Sequence, residues 1–205
     1  MKENKINGNM LRGAETERKI CQCADELFRE YGLDQVSVDA IVKKAEVSKG
    51  TFYVHFDSKD ALIAHLISGY VREMDLNYRS FLTPNPQNTP TCEVLLSLVG
   101  EISDCITEKF GYMLMKNAYR IQLDGTGITD ALLNYGRDIY RVFQELLETG
   151  IQKGEFRSDL IIDKTAFQLV TSIRGLTYEW LIRYPDLNLK EKLLESFSLL
   201  IKGLQ

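Results

Sequence analysis

The side chains best able to bond or exchange charge cluster between residues 37 and 59. Ser37, Lys43, Lys44, Ser48, Lys49, Thr51, Tyr53, His55 and Lys59 alternate there with a small apolar set, Val38, Ile41, Val42, Val47 and Phe52. Short hydroxyls, amines and one imidazole at this density suit hydrogen bonding and pairing with anionic oxygens rather than bond breaking. Signatures of catalysis are missing from the sequence: there is no nucleophile elbow and no P-loop. Gly125 and Gly127 lack both a third glycine and a preceding strand pattern, so they are no dinucleotide loop. No catalytic residue and no cofactor is assigned, and an enzyme is not expected.

Metal and redox chemistry fare no better. The two histidines, His55 and His65, are separated by a break at Asp57 and Ser58 and have no ligand-spaced carboxylate beside them, so no metal site is expected. The four cysteines, Cys21, Cys23, Cys92 and Cys105, form no Cys-x-x-Cys pair. Cys21 and Cys23 point to different sides of a helix. All four are expected as reduced packing residues.

The elements that must position the 37–59 cluster are helical. Ile20, Ala24, Leu27, Phe28 and Tyr31 repeat at the spacing of one buried helix face, which Gly32 terminates. Ser37 caps a short helix carrying Val38, Ile41, Val42 and Ala45; Ser48 caps a third through Phe52 toward Phe56. Ser58 then starts a longer helix to about residue 82, with Leu62, Ile63, Leu66, Ile67 and Tyr70 inward. Pro84, Pro86 and Pro90 predict a loop over 83–91. Further helices are expected at about 92–109, 111–123, 128–153, 163–184 and 189–204, broken by Gly125, Gly127, Gly154 and Pro185. The fold class is all-α: a three-helix helix-turn-helix head joined to a larger C-terminal bundle, about nine helices in total. Residues 1–13 are expected as a mobile tail, 14–60 as the head and 61–205 as the bundle.

A helix-turn-helix needs a bracing helix, a sharp turn and a second helix whose N-terminal side chains enter the major groove. Residues 38–56 meet that need. The start of the second helix offers free N–H groups to a phosphate, and the Ser48 and Thr51 hydroxyls add donors. Gly50 costs a helix about 1 kcal/mol. Close approach of DNA to the backbone explains it, and so would tight contact with another helix. Lys43, Lys44 and Lys49 concentrate positive charge, although a solvated lysine face is the commoner fate of such a cluster. Over 205 residues the formal charge is only −4, and the first 60 residues hold ten Lys or Arg against eleven Asp or Glu. Any nucleic-acid surface must therefore be local.

The run Val38-Asp39-Ala40-Ile41-Val42-Lys43-Lys44-Ala45-Glu46-Val47-Ser48-Lys49-Gly50-Thr51-Phe52-Tyr53-Val54-His55-Phe56 resembles the DNA-binding signature of the tetracycline-repressor (TetR) family, and Ser58-Lys59-Asp60-Ala61-Leu62 resembles its continuation. The resemblance implies that Ser48 and Thr51 are contacts of the DNA-reading helix. By the same likeness Tyr53, His55 and Lys59 touch backbone phosphates, and Ser37 caps the bracing helix near another. Lys44, Lys49 and Gly50 complete the expected DNA-binding set. Glu46 departs from the family, which often has glycine at this turn; strain and repulsion of phosphate are expected there. The stretch Gly150 to Asp159 also resembles the family's connection into its first dimer-forming helix.

For the C-terminal part the resemblance implies a homodimer built on the last two helices and a small-molecule effector bound among the central ones. Expected interface residues are Ile173, Leu176, Trp180, Phe197, Leu200 and Ile201, with Gly175 allowing close approach, although the same stripes would also serve the protomer's own core. Expected pocket residues are Tyr112, Met113, Met115, Tyr119, Arg120, Phe143, Arg174 and Tyr178, since aromatic rings and methionines suit an adaptable apolar pocket. Plain core packing is the commoner role for each of them, and a structural salt bridge is an alternative for Arg174. The resulting expectation is a cytoplasmic transcriptional regulator: a repressor on palindromic double-stranded operator DNA, released when an effector changes the separation of two heads. The alternatives are a DNA-binding activator or a helical interaction module without ligand control. No run of about 18 apolar residues marks a membrane span.

Overall fold

The computed structural model describes residues 2–78, 89–125 and 137–205, with side chains for all of these except 2–10, 74, 76 and 77. Among the described residues there are nine α-helices and no strand. They are α1 (Lys2–Tyr31), α2 (Val38–Lys44), α3 (Lys49–His55), α4 (Lys59–Tyr78), α5 (Thr91–Asp104), α6 (Gly111–Leu123), α7 (Asp138–Gln152), α8 (Ile162–Ile182) and α9 (Leu189–Lys202). A π-helical stretch, Cys105–Phe110, joins α5 to α6. Most of the loop expected at 83–91 and the start of the helix expected at 128 lie outside the described residues. The N-terminal stretch expected as a tail is helical from Lys2, since no proline interrupts the backbone ladder there.

The chain divides into two compact units, residues 1–67 with 117–128, and 68–116 with 129–205. The division falls within α4 and within α6, not at residue 60. In the first unit Ile20, Ala24 and Phe28 of α1, Ile41 and Val42 of α2, Phe52 of α3 and Leu62, Ile63 and Ile67 of α4 are all buried. Gly32 closes α1 at φ 81°, donating its N–H to the Phe28 carbonyl at 3.0 Å. Ser37 Oγ accepts from the Ala40 amide and Ser58 Oγ from the Ala61 amide, so each helix start is capped by a side chain that satisfies an otherwise orphaned donor.

In the second unit α5, α7, α8 and α9 pack on one another around Leu95, Leu98, Phe143, Leu147, Leu193 and Phe197. Phe143 and Phe197 meet at 6.2 Å between ring centroids. The Gly150–Asp159 stretch has a local reason for its glycines. A Cβ on Gly150 would stand 2.1 Å from the Phe156 ring, which folds back over α7, and Gly154 turns the chain at φ 70°. The Phe156 amide then bonds the Gly150 carbonyl, and the Arg157 amide reaches the carbonyl of Leu204 near the C-terminus.

Candidate nucleic-acid interface

The turn between α2 and α3 is built by backbone hydrogen bonds. Ala45 ends α2, Glu46 enters the left-handed region at φ 53°, and the Val47 amide returns to the Val42 carbonyl at 3.0 Å. A residue with a Cβ pays about 1 kcal/mol there. Glu46 Oε2 receives Lys19 Nζ at 3.0 Å, which anchors the turn to α1 and gives the non-glycine residue a local use.

Ser48 caps α3. Its Oγ accepts from the Thr51 amide at 3.0 Å and lies 2.8 Å from Thr51 Oγ1. Phe52 is fully buried, with an edge contact to Tyr53 and a tilted one to Phe56, so α3 is locked to the core by one ring. The opposite side of the helix, Lys49, Gly50, Tyr53 and Val54, faces outward. Gly50 decides between the two explanations of its presence. The nearest atom to a built Cβ is Ser48 Oγ at 3.7 Å, an ordinary contact, so nothing inside the chain requires glycine. Close packing inside the head therefore does not account for it. Val54, 81% exposed, was missed by sequence reasoning. The signal was available: Phe52 and Val54 are two apart and cannot share a helix face, so burying one exposes the other.

The cations are mostly occupied. Lys49 Nζ is 2.9 Å from Asp39 Oδ1, and Lys44 Nζ is 3.0 Å from Glu26 Oε2. Those hydrogen bonds raise both lysine pKa values, and the bond from Lys44 lowers that of Glu26. Lys59 departs from expectation. Its Nζ donates to the carbonyls of Leu33 at 2.8 Å and Val36 at 3.1 Å, fastening the α1–α2 connection to α4 instead of reaching outward. One ammonium thus satisfies two backbone carbonyls of the connection. His55, its side chain 14% exposed, sets Nδ1 3.7 Å from Glu17 of α1, which also lies 3.4 Å from His65 Nε2. Burial pushes the nearby Cys21 thiol up to about 11, with Glu17 adding to the effect.

The expected pocket residues fall in both units. Tyr119 and Arg120 belong to the first unit, where Arg120 bonds Asp60 at 2.9 Å and Asn117 at 3.2 Å. In the second unit Tyr112 stacks on Tyr184 at 4.1 Å, Met113 and Met115 are half-buried, and Phe143 is core. Arg174 lies over the Tyr140 ring at 5.8 Å, and Tyr178 is 50% exposed. A polar centre that sequence reasoning missed lies between α4 and the start of α7. Arg137 grips Asp75 through Nη2 at 2.8 Å and Nε at 3.2 Å, both side chains nearly covered. The buried Tyr78 hydroxyl beside them makes no hydrogen bond among the described residues, and burial drives its pKa up.

The expected interface set also divides. Ile173, Trp180, Phe197 and Ile201 are 5% exposed or less, because they fill the protomer's own core and have no surface left for a partner. Leu176 is half-buried; Leu200 stays exposed. The outward apolar face of α8 is instead Phe167, Tyr178 and Ile182, with Leu199 and Leu200 exposed on α9. Thr171 and Gly175 complete the α8 ridge at steps of three and four, and nothing lies within 4 Å of a Cβ built on Gly175.

A buried three-helix head presenting a capped, outward-facing second helix across a tight turn is a helix-turn-helix of the kind that reads DNA. Residues 20–66 match the family model for bacterial regulatory proteins of the tetR family. The HTH-type transcriptional repressor KstR2 of Rhodococcus jostii is 25% identical over 168 residues, 79% of this chain and 78% of that protein. The HTH-type transcriptional regulator AcrR of Shigella flexneri is 24% identical over 195 residues, 92% and 88% of the two chains. The same fold occurs in the crystal structure of Thermus thermophilus FadR, a TetR-family transcriptional repressor in complex with lauroyl-CoA. That likeness has a TM-score of 0.70 at 22% identity over 92% of this chain and 95% of that one. Residues 20–66 thus carry the DNA-binding part of the tetracycline-repressor family, the rest of the chain is similar to that family's regulators, and the protein is a DNA-binding regulator.

Proposed function

We infer that the protein is a homodimeric repressor that holds two heads on a palindromic operator and leaves it when a small molecule binds the second unit. One observation carries the DNA-reading half: Gly50 lies on the exposed side of α3 with no internal contact that requires it. Sites one helical turn of DNA apart, about 34 Å, suit a twofold dimer. The ridge of Phe167, Gly175, Tyr178 and Ile182, with Leu199 and Leu200, supports self-association, since exposed apolar side chains at helical spacing are covered best by a matching helix pair.

For the effector, the Tyr78 hydroxyl supports a site near Asp75 and Arg137, because a buried hydroxyl without a partner forfeits about 1–3 kcal/mol that a ligand atom could recover. The likeness to FadR, solved with lauroyl-CoA, supports a small organic effector.

The test is enrichment of bound duplexes from a random library by the full chain. A two-half-site consensus, bound with affinity that falls steeply as salt rises, is the expected result. Absence of any enriched duplex would overturn the reading. Effectors are then those compounds that both raise the melting temperature and release the enriched duplex. Tyr78→Phe is expected to fold normally and to lose at least tenfold in effector affinity; an unchanged response removes Tyr78 from the site.

A further inference from the structure

The surface that opens α3 carries its own competitor for phosphate. Lys49 is the first residue of α3 and shares a ridge with Tyr53, one turn on. Asp39, in the first turn of α2, holds its ammonium at 2.9 Å while both side chains remain more than half exposed. An exposed pair of this kind contributes little to folding. The start of α2 is already capped by Ser37, so helix ends do not need Asp39 either. The other two lysine pairs differ, because Lys44 with Glu26 and Lys19 with Glu46 both tie the α2 region to α1.

Across residues 14–60 there are seven Lys or Arg and ten Asp or Glu. Five of those seven cations hold a partner inside the protein: Lys19, Arg29, Lys44 and Lys49 on carboxylates, and Lys59 on carbonyls. A head so compensated starts with little attraction for a polyanion.

We propose that Asp39 is an internal counter-anion for Lys49 that holds down the head's affinity for DNA of arbitrary sequence, making each phosphate that would take Lys49 displace a carboxylate already in place. The inference rests on the DNA-binding reading above. A phosphate that binds Lys49 leaves Asp39 unpaired a few ångströms away, so the counter-ions released from DNA are offset by a new repulsion. Binding driven by phosphates alone is thereby kept weak, and contacts to base edges must supply what is missing.

The experiment measures affinity of the full chain for a random-sequence duplex across a potassium chloride series. Asp39→Asn is expected to bind about three- to tenfold more tightly at low salt, with a dependence on salt steeper by about one per head. Asp39→Glu, which keeps the charge, is expected to match the unaltered protein. Asp186→Asn removes the same charge from the second unit and is expected to change nothing. Unchanged or weaker binding by Asp39→Asn would overturn the proposal, and so would an equal gain in Asp186→Asn, which would make total charge the cause. If the unaltered protein shows no salt-dependent binding at all, the DNA-binding reading itself fails, a result distinct from either.

Discussion

Gly50 on α3 and Gly175 on α8 occupy equivalent local situations. Each lies on an outward helix face, and neither has an internal neighbour that a methyl group would crowd. What flanks them differs. Around Gly50 stand Lys49, Tyr53 and Val54, a mixed surface that can bond phosphate and touch base edges. Around Gly175 stand Phe167, Tyr178 and Ile182, with no lysine in the ridge. An intrinsically unfavourable residue at an exposed helix position leaves room for a close approach from outside the chain, and the flanking chemistry differs between the two sites. Under the proposed function what approaches is a polyanion in the head and a second apolar helix in the bundle.

The sharpest way to break this comparison is to unfold one side of it. Phe52→Ala empties the site of a fully buried ring and is expected to cost about 3–5 kcal/mol. Two transitions in denaturant, with the second unit still folded, would separate the units; loss of less than about 1 kcal/mol would deny Phe52 its anchoring role.

Next in size is the proposed dimer face. Tyr178→Asp places a charge in the apolar ridge and is expected to weaken self-association by about a hundredfold or more, since burying an unpaired carboxylate costs several kcal/mol. Sedimentation would read this directly, and an unchanged dimer would move the interface elsewhere.

Lys59→Met keeps the aliphatic stem and removes two charge-assisted bonds to carbonyls. It is expected to destabilise the head by about 1–3 kcal/mol in a melting experiment while leaving the salt dependence of DNA binding unaltered. A shallower salt dependence would restore Lys59 as a phosphate contact.

The smallest effect on stability is the most informative one. Gly50→Ala fits without a clash and improves helix propensity, so it is expected to add up to about 1 kcal/mol to stability. Affinity for DNA is nonetheless expected to fall by about tenfold. A variant that gains stability and keeps affinity would dissolve the parallel with Gly175.

Much of the head could be read from the sequence because its signals are short-range. The caps at Ser37, Ser48 and Ser58, the stop at Gly32 and the apolar steps from Val38 to Phe52 each act within one or two helical turns. The backbone therefore follows from neighbours in the chain. Glu46 belongs with these, its strain being a property of one residue's own dihedral angles.

Partners distant in the chain were another matter. Nothing in the residue pattern announces that Lys59 will reach Leu33 and Val36, that Arg120 will pair with Asp60, or that Arg137 will grip Asp75 across 62 positions. The α8 and α9 stripes were legible as apolar, but helical spacing cannot say which side meets the protomer's own core. That is why Trp180 and Phe197, expected at an interface, are buried in the protomer while Tyr178 and Leu199 stay exposed.

By itself the sequence determined most of the helices, their caps and the reading head, since these follow from local dihedral preferences and spacing, and the head's residue order carried its resemblance to a family. Only the tertiary structure decided which cations are already spent, which apolar faces remain uncovered and which buried hydroxyl lacks a partner. Those depend on how helices far apart in sequence divide a limited amount of surface among themselves.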